Sequence, residues 1–301
     1  MTGFVPSDDD LSAKIQKVRE KSRHFSASAN ETEKLHDLLE RLHSTLLSQE
    51  ASPPIRTIHH FACTGGTVIS RFLASTPNAC LLSEVDPLSS LAKHHFSPFD
   101  LALHYRNAQL KVNDQDQIDI FMAALEVIYD KVCSRRQRLI LRDHAHSHFC
   151  TGARIQNRPT LQQIVAEKYP VLSVVTVRHP LDSYLSVVHN KFTHFTPNTL
   201  EEYAHRYIAF LDSYKHKKIV RYEDFVTDHD ATMTELCDIL RLPNSDFIRD
   251  VSSSIRLTGD SGRKGNNLRL RERRKVPEDI EEMRTNSKTY HVLCERLQYP
   301  L

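Results

Sequence analysis

Two segments about a hundred residues apart follow one plan: a run of strand-forming residues, a polar turn, then a helical pattern. The first is RTIHHFACTGGTVISR, from Arg56 to Arg71. The second is VLSVVTVRHPLDSYLSVVHN, from Val171 to Asn190. A strand that breaks into a turn and enters a helix is half of a parallel crossover unit, so the pair confines the chain to the α/β class. The remaining pattern agrees. Strands are expected near 56–61, 80–83, 138–143, 171–177 and 217–221. Helices are expected near 66–76, 116–136, 160–168, 181–190, 199–213, 230–241 and 277–296. The fold expected is a three-layer sandwich around a central parallel sheet, with any ligand outside the carboxyl ends of the strands.

Ahead of this domain, residues 1–50 are charged, with Leu35, Leu38, Leu39, Leu42, Leu46 and Leu47 at helical spacing. They read as an N-terminal helical arm that packs on the main domain or on a second copy of the chain, so a homodimer stays open. Ser52-Pro53-Pro54 ends the arm, and the α/β domain occupies 51–301. Residues 87–115 read as an irregular, substrate-facing insertion.

The net charge of +2 provides no global basic field of the kind that marks nucleic-acid binders. The basic run around Arg269–Lys275 reads as a solvated or ligand-closing loop rather than a nucleic-acid patch, since acids lie close by and the net charge is low. No apolar stretch reaches the length of a membrane span. The acidic start MTGFVPSDDD lacks the basic and apolar regions of a signal peptide, so a cytoplasmic location is expected. The six cysteines show no C-x-x-C spacing and read as reduced thiols.

In the first segment, Cys63-Thr64-Gly65-Gly66-Thr67 follows the strand. Two glycines let the backbone turn tightly and approach a ligand, and the unpaired amides of the next helix favour an anion. Hydroxyls of Thr64 and Thr67 can add hydrogen bonds. No lysine follows the glycines, so the loop is not the P-loop of nucleoside-triphosphate enzymes. In the second segment, Arg178 ends the strand, Pro180 opens a helix, and Ser186 lies eight residues after Arg178. A guanidinium and a hydroxyl so placed can converge on one phosphate. The competing structural reading pairs Arg178 with Asp182.

These residues together resemble the sulfotransferases that use 3′-phosphoadenosine 5′-phosphosulfate (PAPS), most closely the bacterial type. That family carries a 5′-phosphosulfate loop like [KR]-[ST]-G-T-T, matched by Thr64, Gly65 and Thr67. Its 3′-phosphate motif, an Arg followed eight residues later by a Ser, is matched by Arg178 and Ser186. Two further blocks look like family segments: Val220–Phe225 (VRYEDF) and the tripeptide Arg263-Lys264-Gly265, which in cytosolic members closes over the 3′-phosphate. The resemblance spans roughly residues 55–270. It implies a P-loop-like α/β fold, PAPS as co-substrate, no metal, and a small-molecule, sugar or lipid acceptor.

One departure stands out. The family's Lys or Arg before the Ser/Thr of the first loop is here Cys63. Replacement cations would be Arg142, Arg71 or Lys264, with Arg142 favoured because it ends a strand on the same sheet edge.

On the acceptor side, Arg142-Asp143-His144 resembles loosely the segment in which cytosolic members carry a histidine base. An imidazole with an ordinary pKa near 6.5 can take the acceptor's proton. Glu84, after the second strand, is the rival base. His144, His146, His148 and Cys150 alternate as metal ligands would on a strand, but the strand is expected to end near His144. The function expected is sulfuryl transfer. The alternatives are a PAPS-binding protein with weakened catalysis and a nucleotide-dependent phosphoryl transferase.

Overall fold

Strand β1 (Ile55–His60) is buried at all six positions, although Arg56, Thr57, His59 and His60 are polar. Buried polar groups need partners, and β1 finds them in its neighbours. Arg56 donates to the carbonyls of Pro54 (2.6 Å) and Leu240 (2.9 Å). Thr57 meets Ser173 (2.7 Å), His59 meets Asp143 (2.7 Å), and Arg142 donates to His60 (3.1 Å). β1 is therefore a central strand, cross-linked to both sides.

The computed structural model describes residues 52–91, 100–108, 112–258 and 272–301. The helical arm expected over 1–50 and the Arg263-Lys264-Gly265 tripeptide lie outside the described residues. After β1 come α1 (Gly66–Ala74), β2 (Ala79–Val85), α2 (Leu101–Ala108), α3 (Asp114–Ser134) and β3 (Arg138–Asp143). Next are α4 (Ala145–Phe149), β4 (Thr151–Gly152), α5 (Leu161–Ala166), β5 (Val171–Val177), α6 (Pro180–His189) and β6 (His194–Phe195). The chain continues through α7 (Leu200–Ser213), β7 (Lys218–Arg221), α8 (Tyr222–Thr227), α9 (His229–Leu240) and α10 (Ile248–Ser252). It closes with α11 (Glu278–Asn286) and α12 (Lys288–Leu297).

Five strands form a parallel sheet in the order β2-β3-β1-β5-β7, and β4 pairs with β6 separately. Alternation along the strands divides the core. Ile58, Ile140, Val174 and Val220 pack with α1, α8 and α9 on one face. Ile55, Leu139 and Leu141 pack against α3 and α5 on the other, where Val175 and Val177 meet α6, α7 and α12. This is the expected three-layer sandwich. Each expected strand forms, because buried parallel strands read as runs of β-formers.

Two differences have local causes. The insertion expected to be irregular carries α2 and the start of α3, whose first turn is capped by Asn113 accepting from the Asp116 amide (2.8 Å). The helix expected over 277–296 is two, because Ser287 adopts extended backbone and caps α12 by accepting from the Tyr290 amide (3.0 Å). As expected, β3 ends before His144, and the histidine run enters α4. His146 and His148 therefore take separate partners, His194 (3.1 Å) and the Gln156 carbonyl (3.0 Å). Among the described residues no group of three or more His, Cys, Asp or Glu is placed to hold a metal ion, and no helix is long and apolar enough to cross a membrane.

Candidate active site

β1 and β5 are adjacent, so the turns that follow them emerge side by side at one edge of the sheet. Their helices diverge, as at the switch point of an open α/β sheet. In the first turn Thr64 is fully buried and its hydroxyl donates to the Phe61 carbonyl (2.8 Å), which closes the bend. Gly65 caps α1 at φ 84, a left-handed conformation suited to glycine. It also makes room. A Cβ at Gly65 would lie 2.2 Å from the Tyr222 ring, and one at Gly66 would lie 2.2 Å from the His60 ring.

Arg178 leaves the end of β5 and reaches back to this turn. Its guanidinium lies 3.5 Å from the Cys63 carbonyl and 3.5 Å from Ser186 Oγ, and it stacks over the Tyr222 ring at 5.2 Å. Ser186 also donates to the Asp182 carbonyl (2.8 Å) one turn back. The Asp182 carboxylate pairs with Arg273 (2.9 Å), so the structural reading that tied Arg178 to Asp182 does not hold. The two segments singled out by sequence thus form one cradle, joined by Arg178 and floored by Tyr222.

The VRYEDF segment supplies that floor and fixes its surroundings. Arg221 donates to the Leu297 carbonyl at the end of α12 (2.5 Å) and stacks on Tyr299. Glu223 accepts from the His179 amide (3.0 Å) at the start of α6 and from the Tyr299 hydroxyl (2.6 Å).

Cys63 is mostly enclosed, and burial pushes its thiol pKa up. It is a neutral thiol at pH 7, touched by the Asn190 side chain at 3.8 Å. Arg142 brings a guanidinium to the other side of the loop. Its guanidinium donates to Thr67 Oγ1 (2.7 Å), His60 Nε2 (3.1 Å), Ser83 Oγ (2.9 Å) and the Thr258 carbonyl (2.9 Å). It also forms an ion pair with Glu84 (2.7 Å).

Glu84 sits at a bulge in β2, at φ 60. The kink turns its carboxylate to bridge two partners: Oε1 meets Arg142, and Oε2 meets His144 Nε2 at 3.2 Å. The two rival bases are therefore neighbours in one Arg142–Glu84–His144 chain. Asp143 points to the opposite face of the sheet, where it accepts from Tyr214 (2.9 Å) and binds His59. Asp86, two residues beyond Glu84, holds the strand's exit through a two-pronged bond to Arg158 (2.9 and 2.6 Å).

Sequence reasoning missed His60, Tyr222 as the floor, and Arg273. His60 carried a visible signal, a polar residue at the end of a central strand. Of the other cations proposed at the loop, Arg71 is buried on α1 and Lys264 lies outside the described residues.

Solved structures with partial likeness to the chain include three sulfotransferases. The sulfotransferase domain from the curacin biosynthetic pathway is 15% identical, with 84% of this chain and 100% of that chain covered and a TM-score of 0.49. The sulfotransferase domain from the Synechococcus PCC 7002 olefin synthase is 16% identical, covering 84% and 98%, at 0.46. Mouse sulfotransferase SULT7A1 complexed with PAP is 12% identical, covering 82% and 90%, at 0.42. No curated protein matches the sequence. The sequence model of the sulfotransferase family matches residues 54–246, which include both turns, Glu84, Arg142 and His144; the chain belongs to the sulfotransferase family.

Proposed function

We propose that the chain moves a sulfuryl group from PAPS to a hydroxyl or amine of a small-molecule, sugar or lipid acceptor. The observation that carries this reading is the Arg142 guanidinium, which bonds Thr67 of the donor-side turn and Glu84 of the acceptor-side pair. A cation there lies where negative charge develops as the leaving group departs, and links it to the groups that take the acceptor's proton. The glycine turn and the α1 N-terminus receive the 5′-phosphate, and Arg178 with Ser186 receives the 3′-phosphate.

The acceptor oxygen or nitrogen attacks sulfur in line, forming the new S–O or S–N bond. Its proton passes to His144, which Glu84 orients and whose imidazolium Glu84 stabilises. The bond from sulfur to the bridging oxygen breaks, and its electron pair stays on the 5′-phosphate beside Arg142 and the loop amides. Products are the sulfated acceptor and adenosine 3′,5′-bisphosphate. His144 and Glu84 thus serve one proton transfer in two roles, base and orienter. Positioning and fixed charge provide most of the acceleration, as in phosphoryl transfer.

A second reading has its own support. Cys63 is a neutral thiol where the family carries a cation, which favours a protein that binds the nucleotide and transfers slowly. Calorimetry with adenosine 3′,5′-bisphosphate, ATP and GTP, followed by turnover of labelled PAPS with candidate acceptors, separates these readings. The expected result is binding of the bisphosphate, lost by about a hundredfold in Arg178→Ala, which removes a charge-assisted pair. Binding of ATP without the bisphosphate would overturn both readings. Binding without turnover against any acceptor class would favour the second.

A further inference from the structure

The loop departs from the family pattern twice, at Cys63 and at Gly66, where the pattern has a second-to-last Thr. The two departures meet at His60. This residue ends β1 on the same face as Arg142, whose strand is in register with β1. It is 9% exposed, and its ring lies where a side chain on Gly66 would be. A Cβ at Gly66 would meet Cγ at 2.2 Å, Cδ2 at 2.4 Å and Nδ1 at 2.7 Å. Any larger residue at position 66 would displace the imidazole.

The tautomer follows from the partner. Arg142 is always charged and only donates, so His60 Nε2 accepts from it at 3.1 Å. Nε2 therefore carries no proton, and Nδ1 does. That Nδ1–H is buried and has no hydrogen-bond partner among the described residues. A buried donor left without a partner is uncommon and needs a reason. Nδ1 lies beside the first residue of α1, where the helix amides already favour an anion. Burial and the neighbouring Arg142 charge both hold the ring neutral, consistent with this arrangement.

We infer that His60 is a positioning residue of the donor site: its Nε2 holds Arg142 at the loop in place of the missing cation, and its Nδ1–H donates to an anionic oxygen seated at the start of α1. Gly66 is the vacancy that admits the ring. His60, Gly66 and Arg142 thus act as one unit that stands in for the lysine or arginine replaced by Cys63. This rests on the reading of the loop as the seat of the 5′-phosphate.

The test measures calorimetric affinity for adenosine 3′,5′-bisphosphate and for adenosine 3′-monophosphate, which lacks the 5′-phosphate. His60→Phe keeps a flat ring and removes both nitrogens. We expect it to lose about tenfold in bisphosphate affinity, the worth of one hydrogen bond to a charged group, and to bind the monophosphate as the wild type does. Adding Cys63→Lys to His60→Phe should restore the lost affinity, because the family's own cation then returns. Should His60→Phe fold poorly by circular dichroism, His60→Gln, which keeps a donor and an acceptor, is expected to retain bisphosphate binding where His60→Ala loses it. Equal loss for both nucleotides, or no loss for either, would overturn the inference while leaving the donor reading intact. A wild type that binds the monophosphate and the bisphosphate equally would overturn the reading of the loop itself.

Discussion

At the scale of single residues, the site turns on how many partners one guanidinium can hold. Arg142 bonds Thr67, His60, Ser83, the Thr258 carbonyl and Glu84, so it is buried and charged without being stranded. Removing Glu84 takes away its opposite charge, whereas removing a neutral partner leaves an N–H without its acceptor. The Glu84–His144 contact of 3.2 Å gives a prediction of its own. If the two act as one proton-accepting unit, Glu84→Gln and His144→Ala each lower kcat by roughly 10²–10⁴-fold, the usual worth of a general base. The double variant should then fall little further, because residues that work as a unit are not additive. Single-turnover rates with labelled PAPS and an accepted substrate check this; multiplicative losses would show two independent roles. Bisphosphate affinity in His144→Ala should match that of the wild type, since the ring's ion-pair partner among the described residues is Glu84.

At the scale of elements, the VRYEDF segment latches three pieces of chain. Glu223 ties the start of α6 to the C-terminal Tyr299, and Arg221 ties β7 to the end of α12. Glu223→Ala strips the acceptor from one amide and one phenol, which destabilises the fold by about 2–6 kcal/mol at about 1–3 for each donor left bare. Glu223→Gln should recover most of that, and urea denaturation measures both. A loss below that of a surface substitution would show that water replaces the latch. Elements were also the scale at which sequence spoke most clearly. β5 is dominated by β-branched residues, β3 has the apolar centre Leu139-Ile140-Leu141, and the starts of α1 and α6 are marked by Gly65 and Pro180. The breaks at Ser287 and at the Glu84 bulge were hidden, because each depends on one residue's backbone angle rather than on periodicity. The site divided the same way. Arg178 and Ser186 share one segment and were legible as a pair. Arg142, Glu84, His144 and His60 come from three strands, and only sheet order brings them together.

At the scale of the whole molecule, buried histidines make stability depend on pH. Burial lowers the pKa of His60, His148 and His229, brings His146 down to about 3 and takes His179 to about 4. Below the unfolded value near 6.5, the unfolded chain takes up protons that the native chain refuses. The unfolded state then binds more protons, so stability rises with pH and is lost as pH falls from about 6.5 toward about 4. The slope is at most about 1.4 kcal/mol per pH unit for each histidine involved. The melting temperature should drop steadily between pH 7 and pH 5. A flat profile would show that these rings are protonated in the native protein.

Tyr222 has a larger consequence than its place in a motif suggests. Its ring is packed against the Gly65 turn and lies under the Arg178 guanidinium, so one phenol touches both turns. The cradle is then a gauge as well as a charge. Under the proposed function, a ligand with two anionic ends spans both turns across this ring, and a residue of different size at position 222 should change which spacing between the ends fits.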